Sequence, residues 1–156
     1  PFDYVHPLEV NALAKIIRRK RIFGKRTRRI ILSRSDAKTR RILNEQELFQ
    51  NILKPLGFEI VILSEFSFND QVALFAESEM IIAAHGAGLT NVIYSSDCSV
   101  LELFSREHGV RPDYMQLTNA VGSSYYCYTD PEIRPDSDIY IPEKVVRNFL
   151  MSASLS

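Results

Sequence analysis

Two kinds of hydrophobic pattern alternate along this chain. Short, almost unbroken apolar runs stand at Ile30 to Leu32, Phe58 to Leu63, Met80 to Ala84 and Ser99 to Phe104, with a weaker fifth at Tyr125 to Tyr128. Between them lie stretches whose apolar residues recur near the helical period. Leu8, Leu13, Ile16 and Ile17 mark one over Pro7 to Arg21, where Pro7 suits a first turn. Ile42, Leu43, Leu48, Phe49, Ile52 and Leu53 mark a second, entered from the polar segment Ser33 to Arg41. A third, holding Val72, Leu74 and Phe75, is capped at Ser67 or Asn69 and runs to about Ser78. A short helix is expected after Ala84, another over Asp113 to Val121, and a closing one over Pro142 to Met151, with Ser152 to Ser156 fraying.

Strands that are apolar throughout, alternating with helices, predict a parallel sheet covered on both faces. The fold class expected is α/β: a three-layer, Rossmann-like domain with a mainly parallel sheet. Residues 30–156 would form it, and residues 1–29 would be a helix and basic linker from a preceding domain. Such sheets bind ligands beyond the carboxyl ends of their strands. Ser33-Arg34, Glu65 and the segment His85 to Asn91 are therefore expected along one edge.

Composition narrows this only a little. At 156 residues, 46% hydrophobic and 24% charged, the chain can bury a core, and disordered, collagen-like or mucin-like classes are excluded. Its apolar runs are too short to span a bilayer. The opening Pro1-Phe2-Asp3-Tyr4 lacks the features of a signal peptide and an initiator Met, so the chain reads as a piece of something longer. Cys98 and Cys127 have no CxxC partner and are expected to be buried free thiols. Net charge is zero, yet 13 of the 19 Lys and Arg fall between Lys15 and Arg41, where Asp36 is the one acid. Such asymmetry points to an anion-facing edge or to a solvated or docking face.

The segment His85-Gly86-Ala87-Gly88-Leu89-Thr90-Asn91 carries the sharpest chemical signal. Glycines let a backbone approach a ligand closely, and the helix start that follows offers free N–H groups to a phosphate. His85 is a possible donor or acid–base, and Thr90 and Asn91 are further donors. The plainer reading is a tight strand-to-helix turn. The loop lacks the third glycine of a dinucleotide fingerprint and is not a P-loop; it resembles an esterase oxyanion loop, but no GxSxG elbow accompanies it. Arg34 would grip a diphosphate by two hydrogen bonds, or be one more surface arginine. Glu102, inside an apolar strand, would accept ribose hydroxyls, or face water, or pair with an arginine. Asn44 and Glu45 would orient Arg34 or Arg40, or only favour a helix's first turn. His6 and His108 read as incidental, and Asp136-Ser137-Asp138 as a solvated turn far from the site.

Taken together, Ser33-Arg34, Arg40, Asn44-Glu45, Gly57-Phe58, Phe68 to Gln71, His85 to Asn91 and Glu102-Leu103 resemble, in order, the motifs of the glycosyltransferase family 61 proteins. The resemblance covers residues 30–104. It implies the donor-binding half of a two-domain GT-B enzyme that transfers a sugar from a UDP-sugar, with inversion, to a hydroxyl of a glycan or protein acceptor. Polysaccharide biosynthesis is the implied setting, and no cofactor or metal is expected. Arg34 and the loop Gly86, Ala87, Gly88, Leu89, Thr90 and Asn91 would hold the diphosphate, with Glu102 on the nucleoside and Ser33, Arg40, Asn44 and Glu45 in support. His85 is the one catalytic candidate in this chain; the general base is otherwise expected in the missing N-terminal domain.

Two other classes are open. One is a noncatalytic anion-binding or interaction module. The other is nucleic-acid binding through Arg18 to Arg29, but that run has one aromatic, Phe23, and no accompanying motif, so no nucleic-acid partner is expected. Free thiols and the absence of an Asn-x-Ser/Thr sequon favour a bacterial protein, cytoplasmic or membrane-associated, over a eukaryotic one in the secretory lumen.

Overall fold

The computed structural model describes residues 6–19 and 23–154. Five strands, β1 (Arg28–Leu32), β2 (Phe58–Val61), β3 (Ser78–Ala84), β4 (Ser99–Phe104) and β5 (Ser124–Thr129), form one sheet in the order β2-β1-β3-β4-β5. Every neighbouring pair is parallel. The helices are α1 (Pro7–Arg19), α2 (Glu45–Leu48), α3 (Phe68–Ala76), α4 (Asp113–Ala120) and α5 (Glu143–Ala153). A 3₁₀ helix, Ala87–Tyr94, follows β3.

The strands bury both faces because both are apolar. Ile30, Leu32, Ile81, Ala83 and Val100 pack beneath α1, α3, the 3₁₀ helix and α4. Ile31, Ile82, Leu101 and Leu103 pack with Leu48, Ile52 and Leu53 after β1 and with Val146 and Phe149 of α5. This is the three-layer arrangement expected, with the sheet wholly parallel. From β1 the chain moves outward to β2 and then returns across β1 to β3. The connections leaving β1 and β3 therefore part in opposite directions and open a crevice at their carboxyl ends.

The largest departure from the sequence pattern is the helix after β1. It starts at Glu45, runs four α-helical residues, and continues as a π turn, Phe49–Leu53, and a 3₁₀ turn, Lys54–Leu56. Ile42 instead makes an isolated parallel bridge with Ile139, and Leu43 is 54% exposed. Asn44 explains the delay: its amide donates to Ile141 O at 2.8 Å and its carbonyl accepts from Ile141 N at 3.1 Å. A side chain that pairs like a strand residue ties this segment to Ile141 and holds it in a turn, so the helix begins only at Glu45. Gly57, at φ +79°, then ends the 3₁₀ turn in the left-handed region and turns the chain into β2.

Smaller differences are local. β2 gives way after Val61 to a 3₁₀ turn, Leu63–Glu65, in which Glu65 is exposed. α3 ends at Ala76 and Ser78 belongs to β3. α5 continues to Ala153, so Ser152 does not fray. Lys20 and Arg21 of the first expected helix, residues 1–5, and Leu155 and Ser156 lie outside the described residues. Cys98 is buried, which pushes its thiol up to about 12, whereas Cys127 is exposed on the edge strand β5, contrary to expectation.

The basic window divides. Arg28 pairs with Glu59, Arg29 with Glu79, Arg26 with Asp97 and Arg41 with Asp138. Three of these four pairs involve residues at or before the amino ends of strands, away from the crevice. Asp138 is no solvated residue. Its side chain is 5% exposed and accepts from both the backbone and the guanidinium of Arg41. Its loop is distant from the site in sequence only, since Arg40 N donates to Asp136 O at 3.0 Å.

Candidate functional site at the carboxyl edge of the sheet

β1 ends at Leu32 and delivers Ser33 and Arg34 to the crevice; β3 ends at Ala84 and delivers His85 and Gly86. A cleft of about 120 Å³ lies between them, lined by Arg34, Asp36, Ser64, Gly86 and Gly88 among others.

Gly86 lets Arg34 approach the backbone closely. A Cβ placed there would lie 2.7 Å from Arg34 Nη1. The guanidinium thus rests against bare backbone, and its Nε donates to Thr39 O at 3.2 Å. Gly88 is similarly confined, by Leu63 Cδ1 at 2.7 Å. The 3₁₀ helix beginning at Ala87 has no side-chain cap, so its first N–H groups are left without one beside the cleft.

Arg40 takes a left-handed backbone, φ 59°, which a non-glycine residue adopts at some cost. Its Nη1 donates to His85 O at 2.8 Å and so ties the β1 loop to the β3 loop. Neither Arg34 nor Arg40 has an ion-pair partner among the described residues. Burial, and then the neighbouring Arg40 charge, push the Arg34 guanidinium down from its ordinary value, with Asp36 acting the other way. The Arg34 cation is therefore held where burial and the neighbouring Arg40 charge both disfavour it.

Beside them is a buried chain of polar groups. His85 Nδ1 lies 2.6 Å from Glu102 Oε1, and Tyr125 donates its hydroxyl to Glu102 Oε2, also at 2.6 Å. Glu102 is 0% exposed. Both its oxygens are engaged inside the sheet, with a histidine and a tyrosine rather than with water or an arginine. Burial and the hydrogen bond to Glu102 push the Tyr125 phenol up, which keeps it a donor. The His85 ring stacks on Phe104 at 5.2 Å and lies 5.3 Å from His108 and 5.2 Å from Tyr114. Tyr114 is hydrogen-bonded to Thr90.

The remaining expected residues are scaffolding around this centre. Asn91 donates to Gln71 Oε1 and Gly88 O, and Gln71 in turn donates to Leu63 O and Phe66 O, which stitches the loop to α3 and to the turn after β2. Leu89 is core, and Ala87 and Thr90 are exposed. Asn44 pairs with Ile141, as above. Glu45, 9% exposed, accepts from Ser33 Oγ at 2.8 Å rather than from either arginine. Sequence reasoning passed over His108 and missed Tyr114 and Tyr125. Tyr125 sits across from Val100 in the ladder, two positions before Glu102 on the same face, and only a strand register would have revealed the pairing.

Glu45 carries a stability prediction. Burial pushes its carboxyl up, and the Ser33 hydroxyl only partly offsets this. A carboxyl raised above its unfolded value binds its proton more tightly when folded. Stability then falls as pH rises through that interval, and the penalty is complete above it. Glu45→Gln keeps an acceptor for Ser33 and removes the charge. It is expected to gain on the order of 1 kcal/mol at about pH 8 and nothing near pH 4, read as urea midpoints at the two pH values.

Comparison with known sequences finds relatives of this chain. The profile described as Glycosyltransferase 61 matches residues 1–101. A beta-1,2-xylosyltransferase of Arabidopsis thaliana is 29% identical over 99 residues, covering 55% of this chain and 18% of that protein. The EGF domain-specific O-linked N-acetylglucosamine transferase of Mus musculus is 31% identical over 106 residues, and that of Bos taurus 33% over 107; each alignment covers 65% of this chain and 20% of the relative. The chain thus aligns with about a fifth of the length of these relatives.

Proposed function

The chain belongs to the glycosyltransferase 61 family, and from that premise we propose that it is the donor-binding domain of an inverting glycosyltransferase that uses a UDP-sugar. The observation that carries this reading is the pair Arg34 and Arg40, half-buried near each other without an ion-pair partner among the described residues, beside the uncapped 3₁₀ helix and the glycine contact. A diphosphate would relieve their repulsion and accept from both the guanidinium fork and the loop N–H groups.

In this reading the arginines supply the charge compensation as the acceptor oxygen bonds to the anomeric carbon and the diphosphate departs with the bonding electrons. The sugar and the reacting carbon would lie beyond the arginines, where a further domain of the same protein would supply the acceptor site and the base. The acceptor proposed is a glycan or protein hydroxyl.

The test is thermal stabilisation of the whole protein by nucleotides. UDP is expected to raise the melting temperature in a concentration-dependent way, and a UDP-sugar panel to yield a transferred sugar. If UDP produces no shift at millimolar concentration, the donor reading is wrong and a noncatalytic module is favoured.

A further inference from the structure

A second opening shares a wall with the arginine cleft. It is a hollow of about 500 Å³, lined by Ser35, Leu43, Glu45, Gln46, Glu47 and Tyr140 among others. That volume is within the roughly 300–1,000 Å³ of ligand pockets. Ser33, Arg34 and Asp36 line the cleft and Ser35 lines the hollow, so one short stretch of chain borders both. The pairing that delays α2 builds the hollow. Asn44 bonds both ways to the Ile141 backbone, and Leu43 N donates to Ile139 O at 2.9 Å, which brings Tyr140 alongside residues 42–47. Asp130 fixes the tyrosine. Its buried Oδ2 accepts from Tyr140 N and from Arg134 Nε, each at 2.7 Å, and the Arg134 guanidinium lies over the Tyr140 ring at 5.5 Å.

The polar groups around the hollow are not used by the fold. Ser35, Gln46 and Glu47 are exposed, and their side chains have no hydrogen bond or ion pair among the described residues. Glu45 is 9% exposed, yet only its Oε1 is bonded, to Ser33. Its Oε2 has no partner among the described residues, where the one fully buried side-chain N or O atom without a partner is Nη2 of Arg18. Oε2 therefore keeps an accessible face, and the hollow is the space that Glu45 lines. A carboxylate so far removed from water favours any ligand that donates to its open oxygen.

No lysine or arginine lines the hollow, so its chemistry is the opposite of the cleft's: two carboxylates, an amide and an exposed aromatic ring beside the exposed Leu43. That set fits a ligand with several hydroxyl donors and an apolar C–H face. Hydroxyls donate to carboxylates in short, charge-assisted bonds, and an aromatic ring offers a rigid apolar wall. We infer that the hollow is a saccharide subsite selective for uncharged sugars. Glu45 and Glu47 accept from hydroxyls, Gln46 donates and accepts, and Tyr140 takes the C–H face. Phosphate is drawn to the arginines and turned away by the two acids; a sugar acid is turned away likewise. The sugar is either the donor's own, reached across the shared wall, or part of the acceptor. The inference rests on the glycosyltransferase reading and deepens it, on residues other than the arginines.

The experiment follows two sets of ¹⁵N signals, the Gln46 side-chain amide and the Gly86 to Asn91 backbone amides. The protein is titrated with UDP, with UDP-glucose, UDP-N-acetylglucosamine and UDP-xylose, and with free oligosaccharides of the same three sugars. UDP-glucuronate and a glucuronate oligosaccharide are the charged controls. UDP is expected to move the loop and not Gln46. At least one neutral sugar is expected to move Gln46: a UDP-sugar if the donor fills the hollow, a free oligosaccharide if the acceptor does. The glucuronates are expected to leave Gln46 in place. Tyr140→Ala and Glu47→Gln, both at exposed positions, are expected to weaken the neutral sugar by roughly three- to tenfold and to leave UDP affinity unchanged. Loop amides moved by UDP with Gln46 moved by no neutral sugar, or Gln46 moved equally by the glucuronates, overturns the inference and leaves the donor reading standing. If UDP moves none of the loop amides, the donor reading falls; the hollow then stands if a free oligosaccharide moves Gln46 and falls if none does.

Discussion

Arg34→Ala is expected to weaken UDP binding about a hundredfold while leaving the fold intact. The guanidinium is half-buried but among the described residues donates only to Thr39 O, so little stability depends on it. A bidentate arginine–phosphate contact is two charge-assisted hydrogen bonds, together worth on the order of 3 kcal/mol, which is about that ratio. Gly86→Ala should reproduce the loss without touching the arginine itself. The added Cβ would lie 2.7 Å from Nη1, and the far end of a flexible side chain moves more cheaply than backbone. Both variants should melt within about 2 °C of the parent, as expected where stability changes little, yet lose the nucleotide-dependent shift. Arg28→Ala, which breaks an ion pair with Glu59 at the amino end of β1, should keep that shift. If Gly86→Ala bound UDP as tightly as the parent, the cleft between β1 and β3 would not be the diphosphate site.

The parallel sheet was legible because its evidence is local and repeated. Strands such as Met80 to Ala84 are apolar at every position, and only burial on both faces explains that. The position of Arg34 beside the glycine loop followed from topology alone, since both end strands that neighbour each other at the switch point. What could not be read was pairing between segments far apart in sequence. Asn44 delays a helix because of Ile141, 97 residues away, and nothing in the stripe from Ile42 to Leu53 signals it. Asp138, which looks like an exposed turn acid, is buried because Arg41 reaches it. The basic window misled for the same reason. Four of its arginines are neutralised by acids elsewhere in the chain, whereas Arg34 and Arg40, the proposed diphosphate ligands, have no ion-pair partner among the described residues.

Glu102→Ala is expected to be the most destabilising of these changes, by about 3–5 kcal/mol, since each buried polar group left without its partner costs about 1–3 kcal/mol and two are left so. Glu102 is fully buried, and its loss strands two donors at once, Nδ1–H of His85 and the hydroxyl of Tyr125. It also leaves a void between β3, β4 and β5, where Ala83, Glu102 and Cys127 stand in register. Neither donor has an alternative: His85 is wedged among Phe104, His108 and Tyr114, and the Tyr125 phenol is held far from ionisation by burial. For a domain of this size the loss should lower the melting temperature by roughly 10 °C. Glu102→Gln should cost less, because its carbonyl still accepts one of the two donors while its amide opposes the other. Tyr125→Phe should cost least, about 1 kcal/mol, since it removes one donor and leaves the His85–Glu102 contact in place. The order Ala, Gln, Phe in urea unfolding is the signature of a chain of groups centred on the carboxylate. If Glu102→Ala unfolded no more readily than Tyr125→Phe, the carboxylate would not be the hub that orients His85.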